Sequence, residues 1–357
     1  LKYYLRMAKQ LEKAGAHLLG LKDMAGLLKP AAARVLIKAL KDEVGLPIHF
    51  HTHDTSGVSA ATVLAAADAG VDAADAAMDA FSGGTSQPCL GSIVEALRHT
   101  ARDTGLDVAT IRTISDYWEQ VRAQYAAFES GLASPASEVY LHEMPGGQFT
   151  NLKAQARSMG LEERWHEVAK AYAEANMTFG DIVKVTPSSK VVGDMALMMV
   201  SQNLSRAQVE DPSVEVAFPE SVVDMLKGNL GQPEGGWPAG ISRKVLKGEK
   251  AIITRPGAAL ADADISSIRA KVAADLKIGS EDNEDEALDD EDLNGYLMYP
   301  KVFMDYRARH AAYGPVRTLP THTFFYGMQP GEQVTAEIDP GKRLEITLQT
   351  VGATSDS

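Results

Sequence analysis

The first hundred residues alternate between helical and strand periodicity, and that alternation restricts the fold more than any other feature of the chain. Leu5, Ala8, Leu11 and Ala14 recur at helical spacing before Gly15 ends the helix. A short apolar run, residues 17–21, follows and stops at Lys22-Asp23. The next helix has Pro30 in its first turn, carries Val35, Leu36 and Leu40, and is closed by Gly45. Residues 46–53 read as a second strand, 60–69 as an alanine-rich helix ended by Gly70, and 71–78 as a third strand. Strands and helices in strict alternation, with polar residues at the strand ends, predict a parallel α/β sheet. In a (β/α)8 barrel those strand ends carry the chemistry. Three strands are too few to close a barrel.

Beyond residue 100 the pattern is helical. Residues 111–128, 164–175 and 193–204 each carry an apolar or aromatic stripe, and such stripes are expected to be core. Gly146-Gly147-Gln148 and residues 228–233 read as turns. No glycine pattern has phosphate-loop spacing. Gly235-Gly236-Trp237-Pro238 marks a boundary, and the acidic run 280–292 reads as a solvated loop or linker. Residues 333–338 and 343–348 alternate like strands around the turn Asp339-Pro340-Gly341.

Charge narrows the function. With 35 basic and 48 acidic side chains the net charge is −13, which disfavours nucleic acid and anionic lipid as partners. No apolar run reaches the roughly 18–20 residues of a membrane span. The single cysteine, Cys89, excludes a disulfide framework or a cysteine-rich metal site and suits a reducing, cytoplasmic setting. Leu1-Lys2-Tyr3-Tyr4 has no initiator Met and no signal-peptide layout, and reads as the middle of a helix.

The richest stretch is His49-Phe50-His51-Thr52-His53-Asp54. Alternate side chains of a strand share a face, so the three histidines point one way. One such histidine is more often a satisfied core residue; three beside Asp54 favour a divalent metal, although two imidazoles need a further ligand. Lys22, at the same rim, reads by itself as a snorkelling or salt-bridged lysine. It ligates a metal only when neutral or carbamylated. Thr186 reads first as an N-cap with Pro187 opening a helix over 191–200, and its hydroxyl needs a base nearby to relay a proton.

Five stretches in order resemble the pyruvate carboxylase family: residues 20–28, 46–57, 82–91 (with Thr85-Ser86-Gln87-Pro88), 142–148 and 184–193. The resemblance implies an α/β fold holding the last three βα units, strands six to eight, of a (β/α)8 TIM barrel. These occupy residues 1–100, a helical funnel extension occupies 101–238, and part of a small mixed α/β linking, allosteric and tetramerisation region occupies 239–357. It implies a divalent metal (zinc, manganese or cobalt) on carbamylated Lys22, His51 and His53, with an aspartate from a first barrel strand absent here. It also implies Thr186 as proton shuttle, Ser189 in the biotin pocket, pyruvate and oxaloacetate as substrates, and a homotetramer. Biotin and the consumption of ATP and bicarbonate would belong to domains outside this chain, which the resemblance makes a piece of a longer one, inactive alone. Residues 296–303 and 314–327 favour pyruvate carboxylase over the related oxaloacetate decarboxylase or transcarboxylase subunits; an inactive scaffold is the other alternative.

Overall fold

The computed structural model describes residues 1–129, 131–132, 134–277 and 288–352. It divides into two compact units, Leu1–Ala259 and Leu260–Ser357. The protein is α/β and rich in helix.

The first unit opens with α1 (Lys2–Lys13), β1 (Leu19–Asp23), α2 (Pro30–Glu43), β2 (Ile48–Thr52), α3 (Ser59–Asp68) and β3 (Ala73–Ala74). The strands are parallel in the order β1-β2-β3, with Lys22 opposite His51 and Phe50 opposite Ala74. Pro30 stands at the start of α2, where its missing N–H costs nothing, and α2 buries Ala33, Ile37 and Leu40 at helical spacing. Strand β2 buries Ile48, Phe50 and Thr52 and leaves His49 and His51 half-buried on its other face. Ile37, Ile48 and Phe50 are wholly buried in one core with Leu19, Val63 and Ile93. Each large apolar side chain there contributes about 1.5–3 kcal/mol.

The third strand is shorter than its sequence suggests. Only Ala73–Ala74 pairs, and an isolated bridge joins Ala77 to Cys89 farther on. The segment contains Asp72 and Asp75, which disfavour a continuing strand and instead bond elsewhere: Asp72 Oδ2 accepts from Ile48 N at 2.7 Å and from Lys41 Nζ at 2.8 Å.

Helices α4 (Leu90–Leu97) and α5 (Val108–Gln124) follow. The aromatic stripe expected to be core on α5 is surface instead: only Ile111 and Ser115 of that helix are buried. Ser115 and Arg122 are tied by hydrogen bonds to Ala80 (3.2 and 2.6 Å), so the helix seats a narrow polar edge on that turn and leaves Tyr117 and Trp118 to stack outside it.

A second core is purely helical. After the short α6 (Val139–His142), it is built by α7 (Gly146–Ser158), α8 (Trp165–Thr178), α9 (Ser188–Ser201), α10 (Arg206–Glu210), α11 (Glu220–Lys227) and α12 (Ala239–Leu246). Tyr172 and Phe179 from the α8 region pack there with Val192, Met195 and Met199 of α9. Gly146-Gly147-Gln148 is the first turn of α7 rather than a loop, because Pro145 precedes it in extended conformation.

The second unit holds α13 (Ile265–Asp275), α14 (Asp290–Met298), α15 (Pro300–Tyr313), α16 (Thr321–Tyr326) and the antiparallel pair β4 (Gln333–Asp339) and β5 (Lys342–Thr347). Of the acidic run, residues 280–287 lie outside the described residues. Its end is helix, not linker: Asp289 caps α14 by accepting from Asp292 N at 2.7 Å, and three acids in the first turn suit the helix dipole. Among the described residues no helix is long and apolar enough to cross a membrane.

One glycine fixes how β1 meets the chain after β2. Gly26 has φ +69°, and a Cβ there would sit 2.2 Å from the carbonyl oxygen of His53. Gly105 has nearly the same φ, +68°, with nothing within 4 Å. Gly105→Ala should therefore cost only the backbone strain, about 1 kcal/mol, and Gly26→Ala at least about 2 kcal/mol more. Urea unfolding of the two variants tests this; equal midpoints would contradict it.

Candidate metal centre

The strand alternation of β2 brings the histidines to one side, and their outer ring nitrogens decide what they can do. His51 Nδ1 lies 2.7 Å from Asp75 Oδ2, and His49 Nε2 lies 2.7 Å from Asp75 Oδ1. His53 Nδ1 lies 2.6 Å from the carbonyl oxygen of Thr85. A carbonyl only accepts, so His53 carries its proton on Nδ1. Asp75 accepts likewise: burial alone would raise its pKa, but the hydrogen bonds from His51 and His49 outweigh that and hold it below the usual carboxylate range. In the neutral rings both remaining Nε2 atoms are then bare, and they face each other at 3.2 Å.

Two lone pairs at that distance need a cation between them. A proton is disfavoured, because burial lowers the pKa of His53; the Thr85 carbonyl opposes this and the neighbouring His51 and Lys22 add to it. Nitrogens about 2.0–2.1 Å from a tetrahedral zinc ion lie about 3.3 Å apart, so the pair fits a metal. The outer bonds are of the kind that orient ligand histidines. Among the described residues no group of three or more His, Cys, Asp or Glu forms a metal cluster, so the donors present are these two nitrogens.

Lys22 is exposed on β1 directly opposite His51. The adjacent Asp23 is committed to its own turn: it accepts from Leu27 N (2.8 Å), Leu28 N (2.9 Å) and Thr52 Oγ1 (3.1 Å). Asp54 is likewise turned away, accepting from Ser59 N at 3.2 Å at the start of α3. His49, on the expected face, is bound to Asp75 and does not join the converging pair.

The helical half of the unit reaches the His53 ring at the loop before α7, and a second contact lies nearby, Ala136 N donating to Thr55 O at 2.9 Å. Gly146 N donates to Met24 O at 2.7 Å, and a Cβ at Gly146 would stand 2.7 Å from His53 Nδ1 and 2.8 Å from Thr85 O. Only glycine lets the loop close over that bond. Just before it, His142 is buried and accepts from Met144 N through Nδ1 at 3.0 Å. Gln148 meets α9 at Gly193, where a Cβ would be 2.5 Å from Gln148 Nε2.

Thr186 and Ser189 lie together at the start of α9. The helix begins at Ser188 with Pro187 before it, so Thr186 is not its N-cap; the Ser188 hydroxyl instead accepts from Val185 N at 3.2 Å. Thr186 is exposed and lines a cleft of about 470 Å³ with Asp181, Val185, Ser188, Gln232 and Trp237. Ser189 is buried, and its carbonyl accepts from Tyr172 Oη at 3.4 Å. The structure thus unites His51 with His53, sets Lys22 across from them, and groups Thr186 with Ser189; among the described residues no hydrogen bond links these two groups. Sequence reading missed Asp75 and the Thr85 carbonyl. Asp75 had a signal, a carboxylate just past the third strand; a main-chain carbonyl has none.

The family model described as conserved carboxylase domain matches residues 139–347. The chain belongs to the conserved carboxylase domain family. The HMGL-like family model matches residues 1–117, the part of this carboxylase-domain chain that carries the histidines. The chain is 46% identical over 352 residues to pyruvate carboxylase of Bacillus subtilis (strain 168), covering 99% of this chain and 30% of that protein. It is 44% identical over 354 residues to the mitochondrial pyruvate carboxylase of Homo sapiens, covering 98% and 29%. It therefore spans about 30% of the length of the curated relatives it matches. Among solved structures, the carboxyl transferase domain from Rhizobium etli pyruvate carboxylase is 64% identical with a TM-score of 0.91, over 99% of this chain and 58% of that one. The same domain with pyruvate and biocytin matches at 64% identity and a TM-score of 0.92, over 99% and 58%.

Two outcomes follow from this geometry. Asp75→Asn should lower zinc affinity by about 10–100-fold, read by competition with a chromophoric chelator; an unchanged affinity would remove Asp75 from the site. For His142, burial lowers the pKa from 6.5 to about 4. Above pH 6.5 both folded and unfolded chains hold it neutral; as pH falls toward about 4 only the unfolded chain takes the proton, so the fold loses up to roughly 3 kcal/mol. His142→Asn keeps an acceptor for Met144 N and should lose less stability than wild type between pH 7.5 and 4.5. An identical loss in urea titrations would refute this.

Proposed function

We propose that this carboxylase-domain chain is the carboxyltransferase part of a biotin-dependent pyruvate carboxylase, transferring a carboxyl group from carboxybiotin to pyruvate to give oxaloacetate. The observation that carries the reading is the facing pair of Nε2 atoms on His51 and His53, 3.2 Å apart and each backed by an acceptor on its other nitrogen. Similarity over nearly the whole chain to pyruvate carboxylases supports it.

In this reading residues 1–100 are the last three βα units of a TIM barrel, 101–238 the funnel beside it, and 239–357 part of the linking region of a homotetramer, in a cytoplasmic setting. His51 and His53 would hold a divalent zinc, manganese or cobalt ion. Lys22 would add an oxygen once carbamylated, which converts a repelling ammonium into an anion. The metal, when bound, supplies positive charge that stabilises the enolate oxygen of pyruvate.

The chain's own residues do the rest. As pyruvate C3 gains the carboxyl group it loses one proton, and the biotin ring nitrogen that gives up the carboxyl group gains one. The Thr186 hydroxyl can accept the first proton while donating its own to the nitrogen, so no charge accumulates on a group whose pKa is far too high to ionise. Ser189 would help form the biotin pocket beside it. The biotin carrier, and the domain that uses ATP and bicarbonate to carboxylate it, would be partners in the longer protein.

The test uses the full-length, biotin-bearing protein. Lys22→Ala and His51→Ala should each cut pyruvate-dependent oxaloacetate formation by about 100-fold or more and lower bound metal by elemental analysis, while bicarbonate-dependent ATP cleavage persists. Wild-type oxaloacetate formation with wild-type metal content in both variants would sink the proposal.

A further inference from the structure

The segment that carries Thr186 needs to be held at a fixed distance from the histidines, and its backbone alone does not do this. Residues 179–187 leave α8 at Phe179, turn at Gly180 (φ +94°) and Asp181 (φ +57°), and run without helix or strand to Ser188. The start of the segment is tied back to α8, Asn176 Nδ2 donating to Asp181 Oδ1 at 2.8 Å. Its end is tied to itself, through the Ser188 hydroxyl and residues 183 and 185. Ile182 is buried in the helical core, but Val183 and Val185 after it are both exposed, so apolar packing does not anchor the stretch that leads to Thr186.

Lys184 does reach another element. Its side chain is only 10% exposed, and Nζ lies 2.8 Å from Glu143 Oε2. Glu143 is no ordinary surface acid. It sits at φ +56°, a left-handed conformation uncommon for a residue with a side chain, and ends α6. Three residues later, Gly146 closes over the His53–Thr85 hydrogen bond. Lys184 in turn stands two residues before Thr186. The ion pair therefore connects the loop that seats a metal-ligand histidine to the segment that presents the hydroxyl.

We propose that the Lys184–Glu143 pair is a positioning device, setting the Thr186 hydroxyl against the histidine edge for proton relay. Neither side chain touches the reacting atoms in this scheme. The inference rests on the relay role proposed for Thr186. A buried lysine neutralised by one carboxylate is also costly to leave unpaired, so loss of Glu143 would displace the Lys184 side chain and its segment with it.

The test is made in the full-length enzyme with pyruvate and its methyl-trideuterated form. Lys184→Met should lower kcat for oxaloacetate by about tenfold or more, the scale expected when a reacting group shifts by part of an ångström, and raise the deuterium isotope effect on kcat/KM. Metal content and pyruvate-independent ATP cleavage should stay at wild-type values. Glu143→Gln, which keeps the left-handed residue and a hydrogen-bonding amide, should raise the isotope effect in the same way. The double exchange Lys184→Glu with Glu143→Lys should restore part of kcat.

A loss of rate with an unchanged isotope effect, or with lost metal, would overturn the inference, because that is the signature of a damaged fold. If Thr186→Ala abolishes transfer while Lys184→Met and Glu143→Gln behave as wild type, the positioning idea fails and the relay stands. If Thr186→Ala itself keeps wild-type rate and isotope effect, the relay fails, and this inference with it.

Discussion

Everything at the candidate centre depends on two imidazole lone pairs being held face to face. Left to itself a histidine turns either nitrogen outward, and two bare nitrogens drift apart. Here Asp75 and the Thr85 carbonyl take the Nδ1 atoms, so the rings present their Nε2 atoms to the same point. Burial then lowers the pKa of His53, which disfavours relief of the repulsion by a proton there. The electrostatic tension at the sheet edge is thus a property of the second ring of contacts, of the kind that orients histidines toward a metal ion in the proposed reading.

The rest of the first unit can be understood as support for that arrangement. Phe50 and Ile48, sunk in the sheet core, fix the phase of β2 and so decide that His49 and His51 share the other face. Gly26 permits the turn after β1 to touch the His53 backbone, and Gly146 permits the helical half to touch the His53 ring. The two cores, one around the sheet and one among α7–α12, approach each other at that glycine contact.

Much of this was legible in the residues. Period-two alternation located β2 and the shared histidine face, and glycine and proline punctuation located the helices around it. What failed to read did so for physical reasons. The stripe on α5 has helical spacing, yet spacing cannot say whether a face meets a core or solvent, and Tyr117 and Trp118 meet solvent. Thr186-Pro187 has the composition of a helix start, but the residue at the cap position is Pro187, whose side chain makes no capping hydrogen bond. Asp75 binds two histidines from 24 and 26 residues away, a relation that only the folded sheet creates. The metal, relay and biotin roles proposed for Lys22, Thr186 and Ser189 rest on family resemblance, since an exposed lysine and two hydroxyls carry no such information alone.

Several of the contacts that seat His53 are made by main chain, beside the Ser59 hydroxyl that donates to the His53 carbonyl at 2.6 Å. The carbonyl of Thr85 takes its ring proton, the amide of Gly146 binds the carbonyl of Met24, and the cramped neighbour of Gly26 is the carbonyl of His53 itself. Peptide groups are the same at every position, so these contacts place no demand on which side chains stand at 24 and 85. Side chains at 24 and 85 can accordingly be exchanged without touching these bonds, whereas a Cβ at either of the two glycines would collide with them.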